Sequence, residues 1–523
     1  MKGNSSEHRD TELAGSRAKQ SGWSWSLTAI MLLATVIRLI GLSTQSFTMD
    51  ECFERDRTEM TIPDVIHDPN SFPPLYHLLL KVWLAVDNSE MALRTFSVIC
   101  GLLALWSLWW IVRRAINEDV AWWALLIGAC SPFHVLYSQE GRVYMLYLLL
   151  ALLAVGFLLR WARDGSAWDR AGFVTVAVVG GYVHYFFAIV LVTLGLIAFY
   201  AFGFRFVFRR LLPVAIVIGV LCSPLLLLVK NDLTYQLSLH APRPLNAASA
   251  GYTYFSLASG YTLGVSRAEL HTITSREAVR RTVPWAIAMG AVIVPLLLLG
   301  TWHLRKHWTL AIWLGLLTVP VILLVSFCVL FGLTYNTRFL IWLWIPYCVL
   351  LAAGFCRIQG PRLRIAMFCP LAIFSGLAIY NRHAVPAYVN EDVRSAAAFM
   401  LEDPQRPVLV CSAYMLRPLQ AYLGGRMQAL ALGPSKADIS VDAATMEEYR
   451  HRPIWLMYSR EFHGDPSGEL LEFYTGSRNP TPALVAAGVR VFKCDPLDRG
   501  PKLDPDRTEA YNPLSHLKTE EGS

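Results

Sequence analysis

Long apolar stretches, broken at short intervals by small polar clusters, set the pattern of this chain. They recur at 25–42, 91–112, 120–137, 143–160, 171–187, 188–204, 212–229, 284–302, 308–333, 339–356 and 364–382. About 20 apolar residues carry a helix across the ~30 Å hydrocarbon core of a bilayer, and about 17 suffice when the ends snorkel. The pattern therefore predicts about eleven membrane-spanning helices. A further apolar stretch, Pro73 to Val86, makes only roughly 20 Å of helix at 1.5 Å per residue and is expected to lie at the membrane interface.

The basic residues between these stretches set their sidedness, because Lys and Arg concentrate on cytoplasmic loops. With the N-terminus inside, Arg113 and Arg114, Arg160 and Arg163, Arg205 with Arg209 and Arg210, Arg305 with Lys306, and Arg357 with Arg362 and Arg364 all fall on the inner side. Counting Pro73 to Val86 as a crossing would put them all outside. The expected order is a cytoplasmic tail over 1–24, then a transmembrane domain over 25–382 with outer loops at 43–90 and 230–283. Beyond Arg382 the pattern changes. Short apolar runs at Pro407 to Val410, Met427 to Leu432, Ile454 to Tyr458 and Val489 to Phe492 alternate with helix-like stretches at Asp392 to Leu401 and Tyr414 to Leu423. That alternation predicts a small extracytoplasmic α/β domain over 383–499, and the polar, proline-bearing 500–523 reads as a disordered tail.

Composition agrees. The 523 residues are 54% hydrophobic and 16% charged, with a mean hydropathy of +0.41, which excludes an ordinary soluble enzyme, and the aromatic content excludes a disordered scaffold. The net charge of +7 is spread over membrane loops rather than gathered in one stripe, so no nucleic-acid partner is expected. Ten cysteines lie scattered, with no CxxC and no paired His, so neither a zinc site nor a disulfide framework is indicated.

Candidate chemistry collects at the predicted outer ends of the spans. Arg38 lies near the outer end of the first, and Asp50 and Glu51 follow just beyond it. Pro73-Pro74 precedes the interfacial helix, Arg94 opens the second span, and Ser138-Gln139-Glu140-Gly141-Arg142-Val143-Tyr144 leads into the fourth. His184 and Tyr185 occupy the next outer turn, and Arg338 opens the tenth span. An ionisable group at membrane depth costs about 2.5–3.5 kcal/mol on insertion scales, so such groups persist where partnered or functional. Together they describe an outward-facing polar site with bases and anion binders. A transporter or lipid flippase would also need intramembrane Arg and carboxylates, and is the alternative reading.

The order Arg38, Asp50-Glu51, Pro73-Pro74-Leu75, Arg94, Ser138 to Tyr144, His184-Tyr185-Phe186 and Arg338-Phe339 resembles the bacterial GT-C fold glycosyltransferases of glycosyltransferase family 39, the protein O-mannosyltransferase and aminoarabinose transferase superfamily. The resemblance implies sugar transfer from a polyprenyl-phosphate donor to an acceptor hydroxyl at the outer face of the plasma membrane, with inversion. It assigns Asp50 as the catalytic base, with Glu51 and Glu140 as accompanying carboxylates. Arg supplies a planar fork for phosphate oxygens, so Arg142 and Arg338 are the donor-phosphate candidates, followed by Arg94 and Arg38, which could instead brace a carboxylate. Tyr144, His184 and Tyr185 are expected on the substrate. No cofactor is expected, a divalent ion among Asp50, Glu51 and Glu140 being the alternative. Phe72 replaces the family's frequent His, and Gln139 the usual basic residue, so the sugar and acceptor do not carry over.

Overall fold

The computed structural model describes residues 25–68, 73–229, 247–266, 269–332, 335–432 and 443–497. The expected cytoplasmic tail, the C-terminal tail, Phe72 and residues 230–246 and 267–268 of the 230–283 loop lie outside the described residues. In chain order the helices are α1 (Trp25–Leu39), α2 (Met49–Glu59), α3 (Ile62–His67), α4 (Leu75–Leu84), α5 (Glu90–Ala115), α6 (Glu118–Ala129), α7 (Pro132–Ser138), α8 (Tyr144–Asp164), α9 (Ala167–Val183), α10 (Phe187–Phe206), α11 (Leu212–Cys222), α12 (Ala247–Ser259), α13 (Ser275–His303), α14 (Leu310–Phe331), α15 (Trp344–Arg357), α16 (Pro361–Ala384), α17 (Val393–Met400), α18 (Leu416–Leu423), α19 (Ala443–Arg450), α20 (Glu461–Gly464) and α21 (Glu469–Thr475). The strands are β1 (Val408–Val410), β2 (Ala429–Ala431), β3 (Ile454–Tyr458), β4 (Leu484–Ala486) and β5 (Val489–Cys494). These elements form two compact units, which are described in turn.

The first unit takes its described residues from Met1–Leu42, Met60–Gly260 and Pro284–Ile379. Among the described residues, seven helices are long and apolar enough to cross a membrane, or eight if the bent pair α6 and α7 is one span. This is fewer than the about eleven crossings expected. The helix α9 has 17 residues, and α1 is shorter still. The stretches 188–204 and 212–229 run on as Phe187–Cys222, bent at Gly203 (φ 80°) and joined through a π turn over Val207–Leu211. The expected span 120–137 is broken as well. Ser131 caps α7 and Pro132 starts it, a proline disfavours helix in the residue before it, and α6 and α7 meet at 59°. Pro73 to Val86 is too short to cross, as expected, and α4 has ten residues with Pro74 as its cap.

Burial separates the interior helices from the outward ones. Of the Thr337–Arg357 window 89% is buried, against 11% of Pro361–Ala384, so α15 forms the centre and α16 presents Ile365 and Ile373 outward. Apolar burial gains little between helices already in lipid, so close packing and buried hydrogen bonds hold them. Small residues permit the closest approach. A Cβ on Gly300 would strike the Leu350 carbonyl and one on Gly354 the Leu296 carbonyl, so α13 and α15 cross backbone to backbone. Trp344 donates its indole N–H to Ser131 Oγ at 3.1 Å, tying α15 to the α6–α7 bend.

The second unit takes its described residues from Ser43–Glu59, Tyr261–Val283 and Tyr380–Ser523. Its five strands run in the order β2-β1-β3-β5-β4, with β1, β2 and β3 parallel and β5 antiparallel to both β3 and β4. Both faces are covered. Val408, Val410, Trp455 and Met457 pack with α17 and α18, while Leu409, Leu456 and Tyr458 pack with α19 and α21. Continuous burial along β1 and β3 follows from this two-sided cover and explains why their sequences read as unbroken apolar runs.

Candidate active site

Asp50 and Glu51 sit in the first turn of α2, where a loop was expected. The reason is a capping box, Thr48-x-x-Glu51. Glu51 Oε2 accepts the Thr48 N–H at 3.1 Å, and the Glu51 N–H donates to Thr48 Oγ1 at 3.2 Å. Glu51 is buried in this role, while Asp50 beside it is exposed. The segment leading into α2 is fastened to the α/β fold. Tyr422 OH accepts the Phe47 N–H at 2.7 Å, Ser46 Oγ donates to Asp392 Oδ1 at 3.2 Å and accepts the Arg394 N–H, and Arg394 Nη1 donates to the Ser43 carbonyl at 2.9 Å. Asp56, on the same helix, lies 3.7 Å from Arg417 and 3.8 Å from Arg55. Burial pushes its carboxyl above the ordinary range against the pull of both.

In the first unit, Arg142 and Arg338 converge on one aromatic ring. Their guanidinium carbons lie 5.7 Å and 5.8 Å from the centre of Tyr144. Arg142 reaches it from the tight turn after α7, where its N–H donates to the Glu140 carbonyl at 2.8 Å and Gly141 presses against Leu93. Arg338 is aimed by Asn336, whose Oδ1 accepts the Arg338 N–H at 3.2 Å and starts the 3₁₀ turn Thr337–Leu343. Tyr144 is buried, and its hydroxyl has no hydrogen-bond partner among the described residues. Behind it, the fully buried His184 stacks on Tyr147 at 4.6 Å. The Tyr147 hydroxyl donates to the Phe186 and Phe339 carbonyls and accepts the Trp342 indole N–H. Tyr185 is half-buried at the α9–α10 turn, and Glu140 is half-buried in the Arg142 turn.

Arg38 has a different occupation from the donor-phosphate role expected of it. It is fully buried, donating through Nη1 to the Ala34 and Ala129 carbonyls and through Nη2 to Gly128, with His134 Nδ1 at 2.8 Å. It caps the broken end of α6 and serves as a brace. Arg94, also buried, donates to the Leu42 carbonyl at 2.9 Å, and Gln139 Nε2 donates to the carbonyls of Arg38 and Ile40. These three hold the end of α1. Sequence reading missed Tyr147 and Tyr422, which carry no local signal. The Thr48 capping box was readable from its spacing. Among the described residues no three His, Cys, Asp or Glu side chains gather as a metal-ligand set.

Residues 71–228 match the family model described as dolichyl-phosphate-mannose-protein mannosyltransferase, a stretch that holds Arg94, Glu140, Arg142, Tyr144 and His184 but neither Asp50 nor Arg338. No curated protein sequence matches the chain. Among solved structures, apo ArnT from Cupriavidus metallidurans is 12% identical, with 90% of this chain and 98% of that one covered and a TM-score of 0.60. The apo oligosaccharyltransferase of Archaeoglobus fulgidus is 13% identical over 87% of this chain and 72% of that one, with a TM-score of 0.50. At such identities the likeness is one of fold. With the family match over residues 71–228, it supports a GT-C fold glycosyltransferase similar to those of family 39.

Proposed function

We propose that this chain transfers a sugar from a polyprenyl-phosphate donor to an acceptor hydroxyl at the outer face of the membrane, inverting the anomeric carbon. The observation that carries this reading is the convergence of Arg142 and Arg338 on Tyr144. Two planar cations held about one ring suit the free oxygens of a lipid-linked sugar phosphate, which become those of a phosphate monoester as the lipid phosphate leaves, and the matching family is described by a donor of that lipid-phosphate-sugar class.

The acceptor hydroxyl attacks the anomeric carbon while Asp50 takes its proton. The bond from that carbon to the phosphate oxygen breaks, and its electron pair leaves with the polyprenyl phosphate. The leaving group has a second pKa of ~6, so it departs as a dianion without an acid. What it needs is charge stabilisation, which Arg142 and Arg338 supply. Glu51 holds the helix that carries Asp50. The reaction as written needs no cofactor.

The test uses the full chain in lipid nanodiscs with radiolabelled polyprenyl-phosphate sugars. Arg338→Lys keeps the charge and loses the fork, so donor KM should rise several-fold, and Arg142→Ala should raise it further. Unchanged donor KM and turnover in both variants would refute the phosphate assignment.

A further inference from the structure

The α/β unit carries a second candidate binding surface, at the edge of its sheet. The chain leaves β1 through α18 to β2, with Leu416, Leu419 and Leu423 packed on one face, then returns through α19 to β3, with Met446 and Tyr449 on the other. The direction of winding therefore reverses between β1 and β3, which are parallel neighbours paired Val410 to Met457. In such sheets, ligands bind outside the carboxyl ends of the strands at this point of reversal.

Chemistry-bearing side chains stand there. Tyr414 follows β1, and His463, beyond the end of β3, stacks on it with ring centres 5.1 Å apart. Both are half-buried, leaving one aromatic platform partly open. Arg460 follows β3 and donates from Nε to Glu391 Oε1. Its backbone is left-handed, with φ 50° and ψ 46°, which a residue with a Cβ adopts only where its surroundings enforce it. They do so here. Ser459 Oγ donates to the Gly488 carbonyl at 2.7 Å, Gly464 lies flat against the Cys411 carbonyl, and Tyr458 OH donates to the buried Asp465 at 3.1 Å. Asp50 acts electrostatically on Arg460, so the proposed base and this surface belong together within one unit.

We infer that the β1–β3 edge binds the acceptor, and that the acceptor is a carbohydrate, its sugar ring lying on Tyr414 and His463 with its hydroxyls bonded by Arg460 and Glu391. An aromatic face takes the apolar C–H face of a pyranose, and a paired guanidinium and carboxylate offer donors and acceptors to vicinal hydroxyls. The inference rests on the proposed sugar transfer and names its acceptor.

Saturation-transfer NMR on the full chain in nanodiscs tests it, with methyl glycosides of mannose, glucose and N-acetylglucosamine as probes and a Ser/Thr peptide alongside. At least one glycoside should receive saturation from wild type. Its affinity should fall about tenfold in Tyr414→Ala, the scale of one lost aromatic contact. Arg460→Gly suits the left-handed backbone, so it should keep the thermal midpoint while losing binding, which separates a binding role from a folding one. Binding of no glycoside, glycoside binding unaltered in both variants, or binding of the peptide alone would each overturn the carbohydrate assignment. Transfer by Asp50→Asn is measured separately. If it is abolished while glycosides fail to bind, the inference falls and the enzymatic reading stands. If it persists while glycosides bind, the assignment of Asp50 as the base falls, and if wild type itself transfers no sugar the enzymatic reading falls.

Discussion

Asp50 and Glu51 are adjacent in sequence and opposite in situation, one exposed on the first turn of α2 and the other buried against Thr48. Removing each should therefore do different damage. Asp50→Asn should lower transfer by ~10² to 10⁴ with little change in donor KM, because a positioned base is worth about that much. Glu51→Ala should instead cost about 0.5–2 kcal/mol of stability, the value of a helix cap, with a smaller loss of rate. Asp56 gives a pH signature. Its raised value means that the native state holds the proton more tightly than the unfolded chain. Its contribution is therefore complete below the unfolded value near ~4 and is lost as pH rises through the folded value. Asp56→Asn should match wild type in denaturation at low pH and exceed it at pH 7. The sequence showed these carboxylates as a cluster. It hid their roles because backbone conformation decides which of two neighbours turns inward. Arg38 hid its role for a related reason: a guanidinium bound to three carbonyls reads in sequence like one waiting for an anion.

At the level of elements, hydropathy located the helices well, because a run of apolar residues is a local property. Breaks within those runs were harder to see. Ser131-Pro132 contains its own signal, but the apolar residues on either side outweighed it, and the π turn at Val207–Leu211 has none. Crossings leave a faint trace too, since Gly300 and Gly354 look like any other glycines in apolar helices. Gly354→Val should lower the thermal midpoint in nanodiscs by several degrees, because backbone atoms of α13 occupy the space its side chain would need. The anchorage of α2 is a long-range feature of the same kind. Tyr422→Phe removes one hydrogen bond to Phe47 and little packing, so it should reduce kcat several-fold and leave donor KM unchanged. An equal change in both constants would show that the anchor serves folding alone.

Across the whole molecule, the α/β unit is drawn from three separate stretches of chain, of which only the last has the strand–helix alternation that announces such a fold. The strands at 408–410, 429–431 and 454–458 fall within the runs read from sequence and that at 489–494 runs two residues past its own, whereas β4 and the short helices α19 to α21 left no comparable pattern. Sidedness is testable at this scale. Reporters fused after Arg114 should be cytoplasmic, and those after Leu423 exported, since the basic loops alternate with that parity.

The membership of α2 in that unit bears on how the enzyme is made. Phe47 and Tyr422 stand 375 residues apart, so at ~5–20 residues per second the proposed base is synthesised roughly 20–75 s before the tyrosine that anchors its helix. Nascent and truncated chains would thus carry an intact Asp50 on an unmoored helix. A chain ended at residue 400 should insert in the membrane, bind donor and transfer nothing, and the cell would be spared glycosyl transfer by unfinished enzyme.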